Sequence, residues 1–254
     1  MFWKKIKINI INVNYTFYKI IMLIPENKQF DIWSKELTIP ILALDIVIFT
    51  IYNNELCVVF SKVNWKNSIG YTIPGWIVAK WYDLEQNFDD ILKRKTWITW
   101  VYKEQLYTFW NPSRDPRWHV VAVCYYALVS VDSFLTKVDF TKVDILKYSD
   151  LENLNILYDH KSIIDYAKQR LEWKLEYTNI AKEILPKHFK MSSLQKVYEI
   201  ITGKAYDKRN FQKKIFSLNI ISETWELDRT SNRPAKLYKF DDEKLKIIEQ
   251  NSMV

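Results

Sequence analysis

Two stretches in the first half of the chain carry the groups best suited to chemistry, Thr72 to Ile98 and Tyr107 to Val129. The first contains four carboxylates close together: Asp83, Glu85, Asp89 and Asp90. Carboxylate oxygens suit hard divalent cations, so a metal site for phosphate chemistry is one interpretation. The other is that these residues cap a helix and cover its solvent face, and the local helical spacing favours it.

The second stretch holds a charged turn, Asn111 to Arg117, with the sequence NPSRDPR. A guanidinium can bind a phosphate through two hydrogen bonds, and a neighbouring aspartate can orient it. We therefore predict ligand binding by Arg114, Asp115 and Arg117, together with Lys80 from the first stretch. The alternative for Arg114 and Asp115 is that they only brace the loop.

Positive charge is concentrated near the C-terminus. The chain has a net charge of +7, and residues 187–239 contain 12 Lys/Arg against 5 Asp/Glu, so the remainder is neutral. A localised basic excess is typical of proteins that bind a polyanion, because each neutralised phosphate releases counterions. A lysine-rich solvated face is the plainer alternative.

Hydrophobic patterns place these groups on a mixed sheet with at least one helix. A hairpin is predicted around Tyr52-Asn53-Asn54, and Asp83 is the predicted N-cap of a helix. The predicted strands are Ile41–Thr50, Glu55–Phe60, Val101–Phe109 and His119–Val129, and the helix is Leu84–Lys95. Cys57 and Cys124 lie in apolar runs and are predicted to be reduced core residues.

After Asp159 the hydrophobic period becomes helical. A long helix is predicted first, then two short helices, a basic helix capped by Asp207, and two strands. Their predicted bounds are His160–Tyr177, Ile180–Leu185, Ser193–Ile201 opened by Ser192 and stopped by Gly203, Lys208–Leu218, Ile220–Thr224 and Ala235–Phe240. This order is typical of a winged helix-turn-helix.

The first stretch resembles the Nudix box over 23 residues, with Trp76 and Trp97 at its two glycine positions. The places where that family carries metal-binding glutamates are occupied by Tyr82, Ile91, Arg94 and Lys95. Lysine and arginine repel a metal ion, so the resemblance implies a Nudix frame that has lost hydrolysis. We accordingly expect no cofactor, with Mg²⁺ as the alternative if the chain is a hydrolase.

The charged turn and the C-terminal segment are similar to the NrtR family of Nudix-related transcriptional regulators. The similarity runs from about Pro40 to Phe240 and implies an α+β fold, an α/β/α Nudix-like mixed sheet, followed by a small winged helix-turn-helix. It also implies a homodimer on a palindromic operator in double-stranded DNA, usually a repressor. The implied effector is ADP-ribose or a related nucleotide or sugar phosphate.

On this resemblance the basic helix is the recognition helix, and the two strands form the wing. Polar side chains of the helix can reach base edges, and cations of the wing can contact phosphates. The predicted DNA-binding residues are Lys208, Arg209, Asn210, Gln212, Lys213, Arg229, Arg233 and Lys236. Lys214 is explained as well by a solvated helix face.

The chain contains only 3 Gly but 11 Trp, whereas an average glycine content of about 7% predicts roughly 18 glycines. At least six tryptophans, including Trp173 and Trp225, fall where relatives carry glycine. We hypothesise that these positions are UGA codons that the organism reads as glycine. The hypothesis predicts that several of these tryptophans lie in loops and pack poorly.

The resulting prediction has three parts: an N-terminal extension at 1–36, a Nudix-like sensor at 37–158, and a linking helix with a winged helix at 159–254. Translation starting at Met22 is an open alternative for the extension. We expect a soluble cytoplasmic protein without a membrane segment. The alternative functions are a Nudix hydrolase acting on ADP-ribose-type substrates and a C-terminal protein-interaction module.

Overall fold

The computed structural model describes residues 39–65, 68–99, 101–130, 140–229 and 234–248. The chain from Pro40 onward forms one compact unit. The expectations for residues 1–36 and for Met22 lie outside the described ranges. Within those ranges, no helix is long and apolar enough to span a membrane.

A seven-stranded mixed sheet forms the first part of this unit. Its central strand β1 pairs in parallel with β6 and antiparallel with β2, and β5 lies at the edge beside β6. The strands are β1 Ile41–Tyr52, β2 Glu55–Trp65, β3 Ser68–Thr72, β4 Gly75–Ile77, β5 Tyr102–Phe109, β6 Val120–Leu128 and β7 Val143–Lys147. The predicted hairpin is confirmed, since Asn53 and Asn54 adopt the left-handed backbone that its tight turn requires.

One face of the sheet is covered by helix α1, Leu84–Thr96. Asp83 is its N-cap as predicted: its Oδ1 accepts from the Gln86 N–H at 2.7 Å, and the Gln86 side chain accepts from the Asp83 N–H. Phe88 and Leu92 of α1 belong to a core cluster with Leu44, Ile46 and Ile48 of β1. This packing fixes the Nudix-box helix against the centre of the sheet.

The opposite face is covered by helix α2, which spans His160–Tyr177 as predicted. Ile163, Ala167 and Leu171 of α2 belong to a core cluster that includes β1 and also extends into the C-terminal part of the chain. The Lys174 Nζ lies 2.9 Å from the Glu104 carboxylate of β5. Helix α2 is therefore packed against the sheet and shares its core with the elements that follow.

Those elements form a winged helix. They are a 3-10 helix at Ile180–Glu183, β8 Phe189–Lys190, α3 Met191–Thr202, α4 Lys208–Ser217, β9 Ile221–Asp228 and β10 Ala235–Phe240. The three strands form a small sheet in the order β8-β10-β9. Both the predicted order and the predicted fold class are confirmed.

Two local predictions for this region were wrong. Ser192 does not open α3: the helix begins at Met191, and no side chain caps it, because β8 leads directly into it. The segment predicted as a helix from Ile180 to Leu185 is a 3-10 helix that ends at Glu183. The predicted stop at Gly203 and the Asp207 cap are both present, and the Asp207 side chain accepts from the Asn210 N–H at 2.9 Å.

All seven tryptophans whose side chains the structure describes are 47–89% exposed, which confirms the predicted poor packing. Four of them, Trp81, Trp97, Trp110 and Trp118, lie outside helices and strands. Trp81, Trp97 and Trp225 have positive φ, between 63° and 71°, a conformation that favours glycine. The backbone at these three positions is thus better suited to glycine than to tryptophan.

Candidate functional site

The four places where the Nudix family carries glutamates contain no carboxylate in this chain. Ile91 of α1 is 1% exposed and packs in the core against the sheet, while Tyr82 is half-exposed. Arg94 and Lys95 lie in the last turn of α1 and line a cavity. An apolar core residue and two cations cannot act as oxygen ligands for a divalent metal.

The carboxylates near these places have other partners. Asp83 caps α1, Asp89 pairs with Lys103 at 2.8 Å, and Asp90 pairs with Arg94 at 2.7 Å. The Tyr125 hydroxyl donates to Glu85 at 3.4 Å. Nowhere in the described residues do three or more His, Cys, Asp or Glu side chains form a group that could hold a metal. The capping and surface interpretation therefore accounts for their contacts.

The cavity beside the end of α1 has a volume of about 370 Å³ and is strongly basic. Its lining includes four cations, Lys62, Arg94, Lys95 and Lys142, and none of the described residues that line it is acidic. We call these four residues the cation cluster. Three of them lie over exposed tryptophan rings: Lys95 Nζ and Arg94 Cζ lie 4.8 and 6.0 Å from the Trp76 ring centre, and Lys142 Nζ lies 4.9 Å from that of Trp97.

Arg114, a predicted ligand residue, is buried and ion-paired. Its Nε and Nη2 donate to both oxygens of Asp159 at 2.9 and 2.8 Å, and Nη2 also donates to Asp45 at 3.0 Å. Burial alone would lower its pKa, but the two carboxylates raise the pKa well above its usual value. The pairs join the loop before β6 to β1 and to the start of α2, as the loop-bracing interpretation requires.

His160 extends this buried group. Its Nδ1 accepts from the Ile73 N–H at 3.2 Å, and its Nε2 lies 3.9 Å from the Asp45 carboxylate. Burial lowers the pKa of His160, which suits the neutral acceptor form. Gly75 is needed here, because a Cβ at this position would stand 2.1 Å from an Asp45 oxygen.

The other predicted ligand residues lie nearer the surface. Arg117 donates to both oxygens of Asp115, at 2.9 and 2.7 Å, and its guanidinium lies 4.9 Å from the Tyr158 ring centre. Burial would raise the pKa of Asp115, but the bonds from Arg117 hold it below its usual range. Lys80 lies over Trp81. Arg114, Asp115 and Arg117 thus share one turn, and neither they nor Lys80 is among the described residues lining the basic cavity.

Helix α4, the predicted recognition helix, has one buried and one basic face. Phe211 and Ile215 are its buried residues, one helical turn apart. At 100° per residue, Arg209 and Lys213 point away from that buried side, and both are exposed. Among the described residues, no carboxylate forms an ion pair with Lys208, Arg209, Lys213 or Lys214. The outer face of α4 therefore presents unpaired positive charge.

Of the remaining predicted DNA-binding residues, the described ones lie on α4 and in the wing. Asn210 is exposed and Gln212 is half-buried on α4. In the wing, Arg229 is exposed after β9, and Lys236 of β10 pairs with Glu223 at 2.9 Å. Arg233 lies outside the described residues.

Comparison with known proteins finds matches to both parts of the chain. Residues 181–240 match the NrtR DNA-binding winged helix domain. The ADPR-responsive transcriptional repressor NtrR of Acinetobacter baylyi is 28% identical over 209 residues, which cover 79% of this chain and 82% of the relative.

Two solved structures resemble the chain over most of its length. The crystal structure of Shewanella oneidensis NrtR complexed with a 27mer DNA is 28% identical, with a TM-score of 0.71, and covers 78% of this chain and 93% of its own. A MutT/nudix family protein from Enterococcus faecalis is 22% identical, with a TM-score of 0.65, and shares the fold. The match covers 89% of this chain and 92% of that protein. The chain therefore carries an NrtR winged helix domain at residues 181–240 and is similar to NrtR proteins over most of its length.

Proposed function

We propose that this protein is a DNA-binding transcriptional regulator, acting as a repressor. The observation that carries this proposal is the outer face of α4, where exposed Arg209 and Lys213 have no ion-pair partner among the described residues. Unpaired exposed cations on a helix that can enter the major groove suit contacts to phosphates and base edges. The DNA complex of the Shewanella oneidensis protein supports the same assignment.

The proposed effector is ADP-ribose or a related nucleotide or sugar phosphate, bound by the Nudix-like domain. The Acinetobacter baylyi relative is described as ADPR-responsive, which supports this ligand class. We further propose a homodimer on a palindromic operator, since a two-fold dimer matches an inverted repeat.

The proposed sensor is not an enzyme. The contacts of Ile91, Arg94 and Lys95 support this proposal, because all three occupy family glutamate places and none can bind a divalent metal. The rival is a Nudix hydrolase. Purified protein incubated with ADP-ribose and Mg²⁺ or Mn²⁺ should release no AMP, whereas turnover that a chelator abolishes would establish the rival.

DNA recognition is tested by selection from a random duplex pool with the full-length protein. We expect enrichment of an inverted repeat that also occurs upstream of the gene or of a neighbouring operon. Binding without enrichment of any sequence would reduce the basic segment to an electrostatic surface. No DNA binding at all would favour the protein-interaction alternative.

A further inference from the structure

We propose that the cation cluster Lys62, Arg94, Lys95 and Lys142 binds the diphosphate group of the effector directly, in place of a divalent metal. This inference rests on the proposed function, in which the Nudix-like domain binds a nucleotide or sugar phosphate. It adds the location of the phosphate subsite and its independence of metal.

Charge and shape support this location. The four cations come from β2, from the last turn of α1 and from the turn before β7, so three separate segments bring positive charge to one cavity. Two of these cations form ion pairs with carboxylates that do not line the cavity: Lys62 with Asp144 at 2.9 Å and Arg94 with Asp90 at 2.7 Å. A cavity of about 370 Å³ lies in the size range of small-molecule sites.

Lys95 is the member of the cation cluster whose positive charge is least compensated by neighbouring groups. No carboxylate among the described residues pairs with it, and its contact with the Trp76 ring is only a cation–π contact. Burial lowers the pKa of Lys95, and neighbouring Arg94 lowers it further. A bound phosphate would offset both effects, because it supplies an opposite charge at short range.

Ser61 gives a second, independent indication of a ligand. It lines the same cavity, and its hydroxyl oxygen is buried without a hydrogen-bond partner in the described structure. Buried polar groups are nearly always hydrogen-bonded, so a buried hydroxyl without a partner, on a residue that lines a basic cavity, would gain a partner from an anion bound close to it. A phosphate oxygen is an acceptor that this hydroxyl can donate to.

The test uses the full-length protein with two probes, inorganic pyrophosphate and ADP-ribose, in isothermal titration with and without EDTA. We expect the affinity of wild type to be the same under both conditions. Lys95→Met should weaken binding of both probes by about tenfold or more, since a charge-assisted hydrogen bond is lost. Lys142→Met provides a second variant from another segment, should Lys95→Met fail to fold.

The matched control is Lys93→Met, which removes an exposed cation from the same helix but outside the cavity lining. It should leave the affinity for both probes unchanged. Binding that disappears in EDTA would overturn the inference, as would wild type binding neither probe or Lys95→Met binding as tightly as Lys93→Met. DNA affinity measured on the same samples separates the two proposals: intact DNA binding without pyrophosphate binding contradicts only this inference, and the reverse contradicts only the DNA-binding function.

Discussion

The interior of the Nudix-like domain and the outer face of α4 use positive charge in opposite ways. Arg114 is buried and makes three hydrogen bonds to two carboxylates. Arg209 and Lys213 are exposed, and no carboxylate pairs with either in the described residues. Charge that is fully paired holds the fold together, whereas charge left unpaired in solvent is available to a partner.

The cation cluster lies between these extremes. Lys62 and Arg94 have carboxylate partners, but Lys95 has none among the described residues. Three levels of pairing thus match a structural role in the interior and the two proposed roles, anion binding in the cavity and DNA binding on the surface.

The largest effect should come from removing the buried structural cation. Arg114→Met leaves Asp45 and Asp159 without their partner, and breaking a buried pair typically costs about 3–5 kcal/mol. Denaturant unfolding should therefore show a large loss in the free energy of unfolding. The control Arg117→Met removes a guanidinium that is 64% exposed and should cost no more than about 1 kcal/mol. Equal losses for the two variants would mean that Arg114 is not the structural brace.

A smaller effect, on DNA affinity and not on stability, is expected from substitution on α4. Arg209→Ala should weaken binding to the selected operator by about 1–3 kcal/mol and change binding to random duplex little, as expected for a base-reading arginine. Its stability should be unchanged, because the side chain is exposed. Equal weakening on both duplexes, measured by fluorescence anisotropy, would contradict the assignment of α4 as the reading helix.

The tryptophans with positive φ provide a stability test in both the Nudix-like domain and the winged helix. The expected change in stability is similar to, or smaller than, the effect expected for Arg209→Ala. Trp97→Gly at the end of α1 and Trp225→Gly in β9 should each stabilise the fold by about 1 kcal/mol, because a left-handed backbone is strained for a bulky residue. Trp173→Gly, within helix α2, is the control and should destabilise by a similar amount. Thermal unfolding of the three variants measures these signs.

The same hypothesis can be checked on the gene. We expect UGA at the codons for Trp76, Trp97, Trp110 and Trp118. UGG codons there would leave tryptophan as the native residue, whatever the three variants do to stability.

The smallest effect is expected in the wing. Lys236 already pairs with Glu223, so part of its charge is compensated before DNA binds. Lys236→Ala should weaken binding to the selected and the random duplex to a similar small extent. It should also lower the slope of log K against log salt concentration by about 1. Loss of specificity in this variant would move base reading from α4 to the wing.

Periodicity and capping predicted much of the fold. The first hairpin, the Asp83 and Asp207 caps and the full span of α2 follow from local patterns, because these elements are determined by residues close in sequence. Strands β3, β4 and β7 were missed. They are short, and β4 and β7 pair with distant segments of β1 and β2, whereas β3 forms a local hairpin with the end of β2.

The site was harder to predict for the same reason. The sequence showed that the glutamates were missing, but the partners of Arg114 lie 69 and 45 residues away, at Asp45 and Asp159. No local signal identifies such a pair. The basic cavity likewise combines α1 with β2 and the turn before β7, so Lys62 and Lys142 could not be assigned to it from spacing alone.

The most direct test of the central claim is the affinity of the full-length protein for its selected duplex and for a scrambled duplex, measured over a range of salt concentrations. We expect tight binding of the selected duplex and weaker binding of the scrambled one. For both, each tenfold increase in salt concentration should lower log K by roughly 0.9 for every phosphate that the protein neutralises. The gap between the two duplexes should persist as salt increases, because base contacts release few counterions. Affinities that coincide at every salt concentration would show only non-specific attraction and would contradict a sequence-specific regulator.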